Sequence, residues 1–406
     1  MSPTPPCPSR MRVSPLSPLS LLALVALAGS GTPAPGRVSQ LVTDFGLRLF
    51  RAAVAPRGDT NVVFAPYGAT SVLLALQVAT AGTSRRQLEA ATGVNIDGEG
   101  TATRGGLWAE LRWLRGALRG RGLQLVLAQG LFVARGLALR PGFVTRLGRA
   151  LGPRSLARLD TASGEGASRA LNAWARDKTR GLVAKLVAPG AVARGSRLLL
   201  ASAESFRGSW GVAFPPRATR ARPFLRPDGS QVPVAMMATE GRLRCGECDF
   251  ETRAGVPFTV AEVPYAGGEV ALLLVAPAQR HQPLVTLLPL LSARGVTEWV
   301  TRLSPAPRVL VLPRFSLDTS WDLRGPLRAL GVLDPFDPDA ADFSPVCPLT
   351  PGVGATPLGT LWGHFWAAVV YSRMAPLEIV LDHPFLFLVR HHPTGTILFV
   401  GQVTEP

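Results

Sequence analysis

Lysine is almost missing from this chain. Of its 43 basic residues only Lys178 and Lys185 are lysines; the rest are arginines, set against 27 acidic residues for a net charge of +16. Cysteine is sparse as well, with four in 406 residues. Cys245 and Cys248 form a lone C-x-x-C and Cys347 stands apart; without a second pair a zinc ribbon is excluded. Arg244-Cys-Gly-Glu-Cys-Asp249 does not read as a strand-to-helix turn, so a redox motif is not expected either. These cysteines are expected at the surface, with no metal or catalytic role. No Asn-x-Ser/Thr triplet occurs, which argues against N-glycosylation. A G-x-S-x-G elbow, an H-E-x-x-H pair and a P-loop are all absent, and the five histidines lie in the C-terminal half, so enzyme catalysis finds no support. No repeat of short period exists, which argues against a solenoid.

Arg10 and Arg12 precede an apolar run, Leu19 to Ala28, followed by Gly29 and Ser30. That order, basic start, short apolar core and small residues, is a secretory signal over residues 1–30. The run is too short to cross a bilayer as a mature helix, and no later stretch is long and uncharged enough. The mature chain is expected to be secreted, extracellular and free of membrane spans. Hydrophobic residues make up 47% and charged residues 17%, enough for a sizeable core. The basic excess suits a polyanion, nucleic acid or sulfated glycan, as well as it suits an arginine-biased coding sequence. The aromatic interleaving and motifs of a nucleic-acid binder are missing, so no nucleic acid is expected.

Leu41, Phe45, Leu49 and Ala52 sit at helical spacing; Asn61 to Pro66 reads as a short strand ended by proline. Ser71–Ala79, a segment from Thr83 to Gly93, the row Leu107, Leu111, Leu114 and Leu118, and residues 168–187 read as helices. Leu123–Val133, Arg197–Ala201, Phe258–Val263, Glu269–Val275 and Arg308–Leu312 read as strands, and Phe385–Arg390 with Thr396–Val400 as a hairpin. Helices first and strands later is the pattern of an α+β fold.

A series of short motifs then accumulates: Asp44-Phe-Gly46, Asn61-Val-Val-Phe-Ala-Pro-Tyr67, Asn172-Ala-Trp174 with Lys178-Thr179, Phe206-Arg-Gly-Ser-Trp210 with Phe214, and Glu262-Val-Pro-Tyr265. Leu312-Pro-Arg-Phe315, Asp382-His-Pro-Phe-Leu-Phe387, Pro393-Thr-Gly395 and Gly401-Gln402 complete it. In this order, across residues 41–406, the set resembles the serpins. The resemblance implies one domain over residues 37–406, with three β-sheets, about nine helices and an exposed reactive-centre loop at about residues 357–377. It also implies an inhibitor rather than an enzyme. A protease attacks the bait bond and forms an acyl-enzyme, and the freed loop inserts as a strand in the largest sheet. Arg373-Met-Ala-Pro376 and the closing Gly401-Gln-Val-Thr-Glu-Pro406 are most similar to the branch (clade E) directed at plasminogen activators, with roles in fibrinolysis and pericellular proteolysis. Arg373–Met374 is then the reactive bond, because a guanidinium pairs through a forked double hydrogen bond with the acidic pocket of trypsin-like serine proteases. A monomer without a bound cofactor is implied.

The stretch before the bait departs from the family. Gly359 and Thr360 fit the start of a small-residue hinge, but Leu361-Trp-Gly-His-Phe-Trp366 follows. Thr360, Trp362, His364 and Trp366 share one strand parity and would turn inward on insertion. Pro345, Pro348, Pro351 and Pro357 precede them, and proline is excluded from central strands. The flanks match closely and the failure is abrupt, the pattern of a misplaced exon boundary. The alternative is a serpin-fold module that binds glycan or protein and does not inhibit.

Arg112, Arg115 and Arg119 recur at helical spacing, extended by Arg121. In the family a basic helix here binds heparin, so these are glycan-binding candidates, with a heparin-like chain as accelerator; a solvated helix face explains them equally well. The resemblance also implies vitronectin beside Phe132, Arg135 and Phe143, although Gly148 stands where an aromatic is usual.

Overall fold

The computed structural model describes residues 36–96, 106–117, 123–252, 255–315, 317, 319, 321–337, 339–347 and 378–406. The signal segment, Arg119, Arg121, and the hinge and bait residues Gly359, Thr360, Arg373 and Met374 lie outside them.

The chain opens with α1 (Arg37–Val54), β1 (Val62–Phe64), α2 (Pro66–Ala79), α3 (Gly82–Thr92) and α4 (Gly106–Ala117). Next come β2 (Leu123–Ala134), α5 (Pro141–Leu151), β3 (Leu156–Leu159), α6 (Gly164–Lys178) and β4 (Leu198–Gly208). The strand-rich half holds β5 (Arg220–Leu225), β6 (Gln231–Glu251), β7 (Pro257–Pro264), β8 (Val270–Pro277), α7 (Ala293–Arg302), β9 (Ser304–Pro313), α8 (Arg324–Ala329), β10 (Glu378–Val380), β11 (Phe385–His391) and β12 (Ile397–Val403). The fold is α+β, with eight α-helices among the described residues.

α2 is buried at every position, so it runs through the core rather than over it. Pro66 opens it at a position that needs no amide hydrogen, and the Thr70 and Ser71 hydroxyls donate to the Pro66 and Tyr67 carbonyls, each at 2.8 Å, which satisfies them without water. β11 and β12 are also buried throughout and read as continuous apolar runs, because both faces of the sheet are covered.

A three-stranded sheet has the order β3-β2-β4, with β2 antiparallel to β4 along Leu123–Val133 and parallel to β3. A nine-stranded sheet follows β1-β12-β11-β8-β7-β6-β9-β10, with β5 also on β6. The 21-residue β6 serves two sub-sheets. Its first part pairs with β5 and β9, its last part with β7. The described strands thus form two sheets, the larger of which changes partners along β6.

Alternation along β4 divides the core. Leu198 and Leu200 face the main cluster around α2, whereas Leu199, Ala201 and Ala203 face a second cluster beneath α6. α6 therefore lies across β2 and β4. It ends at Lys178, earlier than the helical spacing of 168–187 predicts. Arg180 takes a left-handed conformation (φ 53°), and Asn172 accepts from the amides of Leu186 (2.6 Å) and Val187 (2.8 Å), folding the following segment back on the helix.

Candidate functional site

Two described features bear on the expected bait segment, residues 357–377. On its C-terminal side, β10 begins at Glu378 and pairs parallel with β9 through Glu378–Val309, Ile379–Leu310 and Val380–Val311. Elsewhere in the fold, β4 is eleven residues long and paired with β2 along one edge, while among the described residues no strand pairs with its other edge. Unpaired amides and carbonyls along a strand edge are a template for strand addition.

The sequence motifs meet in space as packing units. Trp210 stacks on Tyr265 (centroids 4.4 Å apart, 12° between planes) and Phe206 meets the same ring edge-on at 4.9 Å, which joins two motifs separated by about fifty residues. Phe315 packs on Phe385 and Phe387, and Gln402 donates to the carbonyls of Gly58 and Thr60, each at 2.8 Å. His383 bonds Asp382 (3.2 Å) and the Pro277 carbonyl (2.9 Å), in keeping with a packing role.

On α4, Arg112 is exposed and donates to the Arg149 carbonyl at 3.4 Å. Arg115 is half-buried and donates to the Leu151 carbonyl (3.0 Å) and to Gln129 Oε1 (3.1 Å). Both guanidiniums thus reach the last turn of α5, where orphan carbonyls and the negative end of the helix dipole favour cations. Part of what reads in the sequence as a solvent-facing stripe is capping chemistry.

Phe132 is buried beneath α6, edge-on to Trp174 at 5.2 Å, and Phe143 is buried in the main cluster. Arg135 alone of the three is exposed, so they do not form one surface. Cys245 corrects the expectation of surface cysteines: its position on β6 turns it into the core, 4% exposed. Cys347 is half-exposed. Among the described residues no cluster of His, Cys, Asp or Glu could hold a metal.

The sequence reading missed Glu204. It lies mid-strand on β4, fully buried, with Oε1 accepting from the Ser202 hydroxyl at 2.7 Å. Burial pushes its carboxyl up to about 8, with Ser202 and Arg115 pulling weakly the other way. A lone acid inside the apolar run Leu198–Phe206 was the signal available.

Comparison with known proteins completes the picture. The family model described as "Serpin (serine protease inhibitor)" matches residues 40–406. Plasminogen activator inhibitor 1 of Bos taurus is 37% identical over 412 residues, covering 98% of this chain and all of the relative. The same-named protein of Mus musculus is 37% identical, with 94% and 96% covered. Glia-derived nexin of Rattus norvegicus is 29% identical, with 91% and 94% covered. Among solved structures, native protease nexin-1 with heparin superposes with a TM-score of 0.81 at 26% identity, covering 91% of this chain and 99% of that one. With its motifs, sheets and family match in agreement, the chain belongs to the serpins.

Proposed function

We propose that this chain is a secreted inhibitor, not a catalyst, of trypsin-like serine proteases, with plasminogen activators as targets and Arg373–Met374 as the bond offered. The observation that carries this reading is the 37% identity to plasminogen activator inhibitor 1 over 98% of the chain. The protease serine attacks the Arg373 carbonyl carbon, the Arg373–Met374 bond breaks, and the new amine of Met374 leaves with a proton. The acyl-enzyme remains on Arg373. The geometry around the bait supports the next step. β10, which follows Met374 in sequence, is paired with β9, and among the described residues no strand occupies the second edge of β4, the edge to which the severed Arg373 side would add. Secretion rests on the signal segment, and no helix among the described residues is long and apolar enough to cross a membrane.

A heparin-like glycan is proposed as accelerator, on the strength of Arg112 and Arg115 and of a heparin-bound relative, native protease nexin-1. Vitronectin enters this proposal only through exposed Arg135.

Mixing the secreted chain with a plasminogen activator tests the reading. An SDS-stable 1:1 complex is expected, lost in Arg373→Ala and formed faster with heparin. Cleavage after Arg373 without a complex overturns it in favour of a non-inhibitory binding module. Transcript sequencing across residues 343–367 determines whether the proline- and tryptophan-rich hinge is expressed.

A further inference from the structure

A cleft of about 620 Å³ opens where β2, the end of α5 and the end of α6 meet, and its walls carry Arg115, Arg154, Lys178 and Arg180 with no acidic side chain among the lining residues. Gln129 and the indole of Trp174 complete the polar and flat parts of the wall. The cations come from two sides: Arg115 and Arg154 from α4 and the loop after α5, Lys178 and Arg180 from the end of α6.

The floor is built. Arg115 is fixed by the Leu151 carbonyl and Gln129, and Gln129 in turn donates to the Gly68 carbonyl at 3.3 Å. These partners are neutral. Glu204, whose field reaches Arg115, is itself held largely in its protonated form by burial. Lys178 has Asp177 beside it at 2.9 Å.

The rim carries an independent sign. Gly181 N–H donates to the Arg176 carbonyl (2.8 Å) and Arg180 N–H to the Asp177 carbonyl (3.3 Å), the paired bonds of a Schellman end. The left-handed residue in such a motif is usually glycine, yet here it is Arg180, the one non-glycine at positive φ among the described residues. The strained residue is thus also one of the cations that line the cleft.

From these observations we infer that the cleft binds a small organic polyanion carrying two or more sulfate or phosphate groups. Four like charges around one concavity focus a positive potential that such a ligand neutralises. The cleft has the size of a small-molecule site rather than of a glycan groove. Because the cations are drawn from α4, the loop after α5 and the end of α6, a ligand with several acidic groups engages more of them than a single acidic group does. Occupancy would tie the end of α6 to α4, α5 and β2.

Titration calorimetry and thermal melting of the full chain, with no protease present, test this independently of inhibition. Inositol hexakisphosphate and sucrose octasulfate serve as probes, and whichever binds more tightly identifies the ester. Expected are binding and a raised midpoint, with affinity at least ten-fold weaker in Lys178→Gln/Arg180→Gly. Arg180→Gly alone should raise the ligand-free midpoint while weakening binding, which a merely structural arginine would not do. Arg217→Gln/Arg220→Gln, exposed positions before and on β5, should leave affinity unchanged. Failure of both probes to bind at millimolar concentration, or equal loss in the β5 pair, overturns the inference.

Discussion

Glu204 occupies a strand position whose neighbours are all apolar or small, and its surroundings leave it no room to move. A methyl group added at Gly68 would overlap its carboxyl group. Because burial raises its folded-state pKa to about 8 from an ordinary 4.5, the native state keeps a proton that the unfolded chain gives up. Stability therefore falls as pH rises from about 4.5 toward 8, by about 1.4 kcal/mol per unit for one such group. Glu204→Gln keeps the shape and an acceptor for Ser202 but cannot ionise. Denaturant unfolding at pH 5, 6.5 and 8 should show the variant losing the alkaline decline and gaining on the order of a few kcal/mol over the parent at pH 8. Parallel curves for the two proteins would mean that Glu204 is solvated or paired in solution.

At the scale of elements, the β11–β12 hairpin carries the opposite dependence. Arg390 donates to His392 Nδ1 at 3.0 Å, so the neutral ring keeps its proton on Nε2, which faces Glu262 at 3.8 Å. Arg244 holds Glu262 from β6 with bonds of 2.8 and 3.1 Å, and its other nitrogen donates to the Val300 carbonyl at the end of α7. His391 lies next to Thr394 at 2.8 Å. Burial, with the nearby cations adding to it, lowers both histidines from 6.5 to about 4. The unfolded chain takes up protons below 6.5 that the folded hairpin refuses, so stability drops as pH falls from 6.5 toward 4. His391→Gln/His392→Gln should flatten that acid limb in the same unfolding series; an unchanged limb would place both rings in water. The hairpin itself was legible, since two apolar runs flank a Pro-Thr-Gly turn. So were α1, from apolar residues at helical spacing, and α2 and β2, from their apolar runs. What escaped was fixed at a distance. The start of α7 is capped by Ser292 but also by Asp44, which accepts from Ala293 N–H at 2.7 Å across 249 residues. β6 escaped because one strand changes partners midway and carries no single alternation. Of the proposed site, Arg373 rests on its neighbours in sequence and lies outside the described residues. The cationic cleft was not, because its residues are drawn from separate elements and only the fold brings them together.

For the whole molecule, the question is whether a severed bait strand gains enough by joining β4 to drive a protease aside. A strand added along an eleven-residue edge makes on the order of ten main-chain hydrogen bonds, each worth about 1 kcal/mol net. Against this, Trp362, His364 and Trp366 would turn into a packed interior at about 1–3 kcal/mol each, and the prolines upstream cannot donate to a ladder. These side chains cancel about a third to nine-tenths of the gain, so insertion is favoured but weakened. Nicking the purified chain after Arg373 should therefore raise its melting midpoint by an amount that grows when Trp362→Ala/Trp366→Ala removes the bulk. Differential scanning calorimetry of intact and nicked protein, with and without the double substitution, measures both effects. If intact and nicked chains melt together and the alanine pair still produces no separation, the edge of β4 does not accept the strand, and the serpin framework here has kept its fold without its spring.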